Sequence, residues 1–100
     1  MITECALLDV RPGAEADFEA AFLQARPLVA GQPGFVSLRL ERCVENRSRY
    51  LLLVEWARLA DHTEGFRRSA EYERWRALLH HFYEPFPTVE HFESVALEPR

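Results

Sequence analysis

The side chains best suited to acid–base chemistry lie between positions 56 and 76, where aromatic residues are dense. His62 can take up a proton near neutral pH, and Arg76 carries a permanent positive charge that can stabilise an anion. His62 and Phe66 share one helix face, and Tyr72 and Trp75 lie on the face of the next helix. If both faces point at a sheet, these side chains converge on an apolar cavity of the kind that holds a small aromatic ligand.

The same residues also fit a purely structural interpretation. Small two-layer domains need large side chains in their core, so each aromatic residue could simply pack against the sheet. Arg76 could pair with Glu71 or Glu73 on the surface, and His62 could be an ordinary residue of a first helical turn. The sequence alone leaves both interpretations open.

Other chemistries find little support. The adjacent His80 and His81 would point about 100° apart on a helix, and no His-x-x-x-His pair occurs, so we predict no metal site. Both residues suit the partial negative charge of a helix C-terminus, and the sequence assigns no role to His91. The absence of a glycine-rich phosphate loop argues against tightly bound flavin or nicotinamide. All twelve basic residues are arginines, which excludes Schiff-base chemistry on a lysine.

Length and charge restrict the choice of partners. One hundred residues suit one domain over 1–100, with a modest core that a partner chain would help to complete. The formal charge of −4 and the lack of a basic cluster argue against nucleic acid and anionic membranes. No basic N-terminal segment precedes a long apolar run, so we expect a cytoplasmic protein without membrane spans.

Hydrophobic periodicity predicts the elements that must position these residues. We predict strands at 2–10, 35–44, 50–56 and 88–97, and helices at about 14–30, 61–68 and 70–83. This order is the split β-α-β arrangement of an α+β, ferredoxin-like fold with a four-stranded antiparallel sheet. The first and third strands should be central, with the second and fourth at the edges.

The predicted sheet has one face that the chain itself does not cover. Both helical segments pack on one side, yet the first and third strands are apolar on both faces. A second copy of the sheet is the simplest cover, so we predict a symmetric homodimer whose two sheets face each other.

Three stretches carry a resemblance to a known family. With WARLADH at 56–62, FRRSAEY at 66–72 and QPGF at 32–35, the sequence resembles the antibiotic biosynthesis monooxygenase family over most of its length. The resemblance implies a dimeric α/β barrel. It also implies an enzyme that oxygenates phenols, anthrone-like polyketides or quinols with molecular oxygen, without flavin, metal or haem.

The resemblance also assigns residues. The Trp, ring residue and Arg of the polyketide-oxidising members fall on Trp56, His62 and Arg76, where His62 replaces the usual Tyr. Leu52 takes the place of an Asn. These positions imply His62 as base and Arg76 as anion stabiliser beside Trp56. The substrate-lining residues would be Leu52, Phe66, Tyr72 and Trp75.

Two alternative functions share this fold. One is a non-catalytic small-molecule-binding or stress-response module that uses the same cavity. The other is haem binding or degradation, which the sequence favours less. The haem-ligating histidine of that branch falls on Arg76, with His80 one turn further along.

Overall fold

A computed structural model describes residues 1–98 of the chain. Its strands are β1 (Ile2–Asp9), β2 (Phe35–Arg42), β3 (Arg49–Trp56) and β4 (Val89–Phe92). Its α-helices are α1 (Glu15–Ala30) and α2 (Ala70–Leu79), accompanied by a π-helical turn (Asp61–Phe66) and a 3-10 turn (His80–Phe82). In residues 1–98 no helix combines the length and the apolar character that a membrane span requires.

The strands form one antiparallel sheet in the order β2-β3-β1-β4. The predicted α+β, ferredoxin-like arrangement with β1 and β3 at the centre is therefore confirmed. Helix α2 begins at the predicted position 70, where the Ser69 hydroxyl caps it by accepting a hydrogen bond from the Tyr72 backbone N–H at 3.2 Å.

Alternation along the central strands separates a helix-covered face from an open face. Strand β3 buries every second residue from Tyr50 to Trp56. In β1, Glu4 follows the same alternation as the buried Ala6 and Leu8, so its side chain points to the helix-covered side. A carboxylate at a core position needs partners, because burying an unpaired charge is costly.

The predicted strand over 88–97 is wrong in its second half. Strand β4 ends at Phe92, which lies opposite Thr3 near the start of β1, so β1 offers almost no further backbone to pair with. Val95 and Leu97, which fall inside the predicted strand, are instead 77% and 87% exposed.

The two predicted helices after β3 are also shorter than expected. The segment over 61–68 forms a π-helical turn, and the helix over 70–83 ends at Leu79 before tightening into the 3-10 turn. The prolines at 85 and 87 follow that turn, and proline cannot donate the backbone hydrogen bond that a longer helix would need.

Gly34, just before β2, packs closely against the turn that carries His62. Its φ of +83° is a conformation that favours glycine. The Asp61 carboxylate occupies the space that a Cβ on Gly34 would fill. The Gly34 carbonyl also accepts a hydrogen bond from the Ala57 N–H at 2.7 Å. A residue with a Cβ atom at position 34 would collide with Asp61, so glycine is required there.

Candidate active site

A cavity of about 360 Å³ lies between the sheet and the helical segments that follow β3. Five of the seven residues predicted for the site line it: Leu52, His62, Phe66, Tyr72 and Trp75. The volume and the largely aromatic lining are typical of a site for a small organic molecule. The structure thus brings together the residues that the sequence placed on two different helices and a strand.

The π-helical turn determines which side chains accompany His62. The Arg67 N–H donates to the His62 carbonyl at 3.1 Å, which is the hydrogen bond from residue i+5 to residue i that defines such a turn. Because the turn is wider than an α-helical one, Phe66 and Arg67 both reach the cavity that His62 lines. An α-helix over 61–68 would place Arg67 on a different side.

The His62 ring is held between aromatic side chains. It stacks on Trp56 with a centroid distance of 5.5 Å and an angle of 16° between the planes, and the Phe66 ring lies 6.5 Å away. Only 3% of His62 is exposed. Trp56 itself is fully buried behind His62 and does not line the cavity, so its position suits support of the imidazole rather than contact with a ligand.

Glu4 is a site residue that the sequence analysis missed. Its Oε1 atom accepts a hydrogen bond from Trp56 Nε1 at 2.9 Å and lies 3.4 Å from His62 Nε2. Burial raises the pKa of Glu4, while the Trp56 hydrogen bond and the positive charge of Arg67 partly oppose that rise. The available signal was a carboxylate in register with Ala6 and Leu8 on the core side of a strand.

His91 is the second missed residue. Strand β4 places it directly opposite Glu4, and its Nε2 atom lies 2.8 Å from His62 Nδ1. In residues 1–98, no three or more His, Cys, Asp or Glu side chains are arranged to hold a metal ion. We therefore interpret the contact as a hydrogen bond in which one imidazole donates and the other accepts.

Burial controls the protonation of His62. It lowers the pKa of His62 to about 3, assisted by the positive charge of Arg67 and by the neighbouring His91. A neutral imidazole is therefore present at neutral pH, with one ring nitrogen unprotonated. A neutral imidazole can accept a proton, although a low pKa makes it a weak base.

The structure does not bring Arg76 to the cavity. Its side chain is exposed on α2, and it does not line the cavity, whereas Arg67 does. Arg76 follows the buried Trp75 by one residue, so it lies about 100° further around the helix. The guanidinium expected from Arg76 is supplied at the cavity by Arg67, which sequence reasoning missed because it depends on the π-helical turn.

Tyr72, Trp75 and Tyr83 complete the aromatic wall. Phe66 makes edge-to-face contacts with Tyr72 and Trp75 at centroid distances of 5.2 and 5.5 Å. Burial raises the pKa of Tyr83, so its phenol stays protonated at neutral pH. This side of the cavity is therefore largely aromatic, and His80 lines it together with these rings.

Comparison with known proteins decides the family. The sequence profile of the antibiotic biosynthesis monooxygenases matches residues 1–78, most of the chain. The chain belongs to this family. Family membership and the observed fold confirm the resemblance predicted from the Trp56 to Tyr72 region and support a monooxygenase-like role in general terms.

Two relatives with higher sequence identity are consistent with this family assignment. The chain is 55% identical over 95 residues to the uncharacterized protein YczJ of Bacillus subtilis (strain 168), covering 95% of this chain and 100% of YczJ. A Bordetella bronchiseptica protein named for this family has a crystal structure that aligns with a TM-score of 0.90 at 40% identity, covering 95% of this chain and 97% of that one.

A more distant structure shows the same fold. SnoaB of Streptomyces nogalater, a cofactor-independent oxygenase, aligns with a TM-score of 0.76 at 24% identity. The alignment covers 99% of this chain and 97% of SnoaB. At this level of identity the likeness concerns the architecture alone.

Proposed function

We propose that this protein is a cofactor-independent monooxygenase that oxidises a small phenolic, polyketide-like or quinol substrate with molecular oxygen. The observation that carries the proposal is a buried, neutral His62 in the wall of an aromatic cavity. Such a site can bind a planar ring, remove a proton from its hydroxyl group and exclude water. The family and its named oxygenases support this reaction class.

The reaction needs only electrons that the substrate supplies. Removing the hydroxyl proton makes an electron-rich phenolate that can reduce oxygen. For a simple phenol, one oxygen atom becomes a ring carbonyl and the other leaves as water. The two hydrogens of that water come from the hydroxyl group and from the oxidised ring carbon. Phenol and oxygen thus balance quinone and water, and the roles left to the protein are binding, deprotonation and stabilisation of the anion.

Each role falls on residues of the cavity. His62 accepts the proton, and Arg67 supplies the positive charge that stabilises the resulting phenolate. Leu52, Phe66, Tyr72 and Trp75 surround the ring. Trp56 holds the His62 imidazole from behind through its stacked indole.

Oxygen uptake tests the function directly. Metal-depleted protein is mixed with a panel of phenols, naphthols, anthrones and quinols, and oxygen consumption is followed with product analysis under labelled oxygen. We expect uptake that a chelator leaves unchanged, with one labelled oxygen atom in the product. A ligand that raises the melting temperature without any uptake would instead identify a non-catalytic binding module.

The choice between two arginines gives a matched pair of variants. We expect Arg67→Gln to lower kcat by about tenfold or more, since one charge that stabilises a transition-state anion contributes on this order. Arg76→Gln should stay within about twofold of the wild type, because Arg76, although exposed like Arg67, does not line the cavity. Steady-state kinetics on both variants makes the comparison, and the reverse order of effects would refute the assignment of Arg67.

We also propose that the protein acts as a homodimer through the open face of its sheet. The face opposite the helices carries Leu7 of β1, Leu51 and Leu53 of β3, and Phe92 of β4. Leu7 on the central strand β1 and Phe92 on the edge strand β4 are 46% and 52% exposed, although apolar side chains normally gain stability by burial. A second copy of the same face is a self-complementary cover.

Light scattering coupled to size exclusion tests the dimer. We expect twice the 11.7 kDa chain mass for the wild type and a monomer for Leu53→Glu, which places a charge at the centre of the proposed contact. Leu59→Glu is the control, because Leu59 is 46% exposed but lies outside the sheet. A monomeric wild type at micromolar concentration would contradict the proposal.

A further inference from the structure

The hydrogen bond between His62 and His91 crosses from the cavity wall to the edge of the sheet. His62 presents Nε2 toward Glu4 in the cavity wall, at 3.4 Å from Oε1. Its other ring nitrogen, Nδ1, lies 2.8 Å from Nε2 of His91. The two nitrogens of one imidazole therefore face two different environments, and His62 has a partner on each side.

His91 is placed to reach solvent. It belongs to β4, the short strand at one edge of the sheet, and it is partly exposed, whereas His62 is buried. His91 does not itself line the cavity. A side chain in this position can exchange protons with water while it touches the cavity only through His62.

We propose that His91 is the proton relay of this site: it accepts at Nε2 the proton that His62 releases from Nδ1, and it passes that proton to solvent. The inference rests on the proposed role of His62 as base. The relay requires the tautomer in which Nδ1 of neutral His62 carries the hydrogen and donates to His91, leaving Nε2 unprotonated beside Glu4 Oε1. When Nε2 takes the hydroxyl proton of a phenol, the Nδ1 proton moves to His91. Only protons move in this step.

The surroundings of His62 explain why a relay is needed. Burial lowers the pKa of His62 to about 3, so a second proton on its ring is strongly disfavoured at neutral pH. The charged and titratable groups near it are Glu4 from β1, Arg67 after the π-helical turn and His91 from β4. Arg67 opposes a second positive charge on His62. Burial and the charge of Arg67 also lower the pKa of His91, but His91 is partly exposed, so a proton transferred to it can pass on to solvent.

The same path can return a proton later in the reaction. Formation of water from the reduced oxygen consumes the proton that deprotonation of the substrate released. A hydrogen-bonded pair of imidazoles conducts in both directions, because each ring can gain a proton at one nitrogen and lose one at the other. When a proton returns from His91 to Nδ1 and the proton on Nε2 leaves, His62 regains its starting tautomer at the end of a cycle.

The tautomer of His62 tests the relay without any substrate. In protein labelled with ¹⁵N-histidine, long-range ¹H–¹⁵N correlation spectra distinguish protonated from unprotonated ring nitrogens. We expect His62 to carry hydrogen on Nδ1 and to show a free Nε2, with His91 accepting at Nε2. Hydrogen on Nε2 of His62 in the ligand-free protein would overturn the relay. This result is independent of whether any tested compound is oxidised.

A variant that keeps the hydrogen bond but cannot titrate provides the second test. In His91→Gln the amide oxygen can still accept from Nδ1, but it cannot carry a proton onward. We expect kcat to fall by about tenfold or more with little change in KM, and free imidazole in the buffer to restore much of the lost rate. His81→Gln, at an exposed histidine outside the cavity, should behave as wild type with or without imidazole.

Circular dichroism and binding of a phenolic ligand establish that His91→Gln is folded with an intact cavity. For a folded variant, a loss of kcat that imidazole does not restore would overturn the relay and leave a merely structural role. An unchanged kcat would overturn it as well. Absence of turnover in the wild type would count against the proposed function, whereas the tautomer measurement would still decide the resting state that the relay requires.

Discussion

His62→Gln is expected to lower kcat for oxygen-dependent turnover by about 10² or more, because positioned general bases contribute rate factors of this order. Glutamine has a similar size and can keep a hydrogen bond, but it cannot accept a proton at neutral pH. His62 is 3% exposed and lines the cavity. Oxygen uptake under saturating substrate, with KM determined separately, measures the effect.

The histidine control is His81→Gln, which removes an exposed imidazole outside the cavity and should leave kcat unchanged. Binding of a phenolic ligand to His62→Gln, followed by thermal shift, checks that the cavity survives. Equal rates in His62→Gln and the wild type would remove His62 from the reaction, and with it the observation that supports the proposed function.

Acid is expected to destabilise the protein through the same side chain. The pKa of His62 falls from 6.5 in the unfolded chain to about 3 in the fold, so between these values the unfolded chain binds more protons. The stability that comes from keeping His62 neutral is complete above pH 6.5 and is lost as pH falls toward 3. Between pH 7 and pH 5 the free energy of unfolding should drop by about 2 kcal/mol from this residue alone.

Urea unfolding of the wild type and of His62→Gln at pH 7, 6 and 5 isolates this contribution. The opposite effect of Glu4, whose raised pKa makes protonation stabilising as pH falls, is present in both proteins. We therefore expect the wild type to lose about 2 kcal/mol more than the variant over this range. Parallel pH dependences would show that His62 is not held neutral by burial.

The arrangement explains how so small a protein could hold the proposed acid–base site. Trp56 anchors both Glu4 and the His62 ring, one by a hydrogen bond and the other by stacking. Asp61, pressed against Gly34, fixes the turn that carries His62. The imidazole is thus oriented by the stacked ring of Trp56 and by the contact between Asp61 and Gly34, which lies just before β2. Proton transfer requires such preorganisation.

Much of the fold was predictable because hydrophobic periodicity reflects burial directly. The order of strands follows from connection rules, and the start of α2 follows from the capping chemistry of Ser69. The cavity wall was predictable for the same reason, since Phe66, Tyr72 and Trp75 occupy the buried faces of their segments. The length of β4 was not, because it depends on how far β1 extends opposite it.

Only part of the cluster around His62 was predictable from the sequence. His62 stands out by residue type and position, but Glu4 and His91 are separated from it by 58 and 29 positions in the sequence and meet it only through strand register. Arg67 reaches the cavity because one turn is π-helical, and Arg76 misses it because Trp75 takes the buried position on α2.

The sequence by itself therefore determined the α+β architecture and the aromatic character of the cavity, and it singled out His62 as the candidate base. Only the tertiary structure decided which partners His62 has and which arginine lines the cavity. Periodicity specifies which residues face inward along one segment. The contacts of Glu4, His62 and His91 depend on the register between strands and on the width of a single turn, which no local pattern encodes.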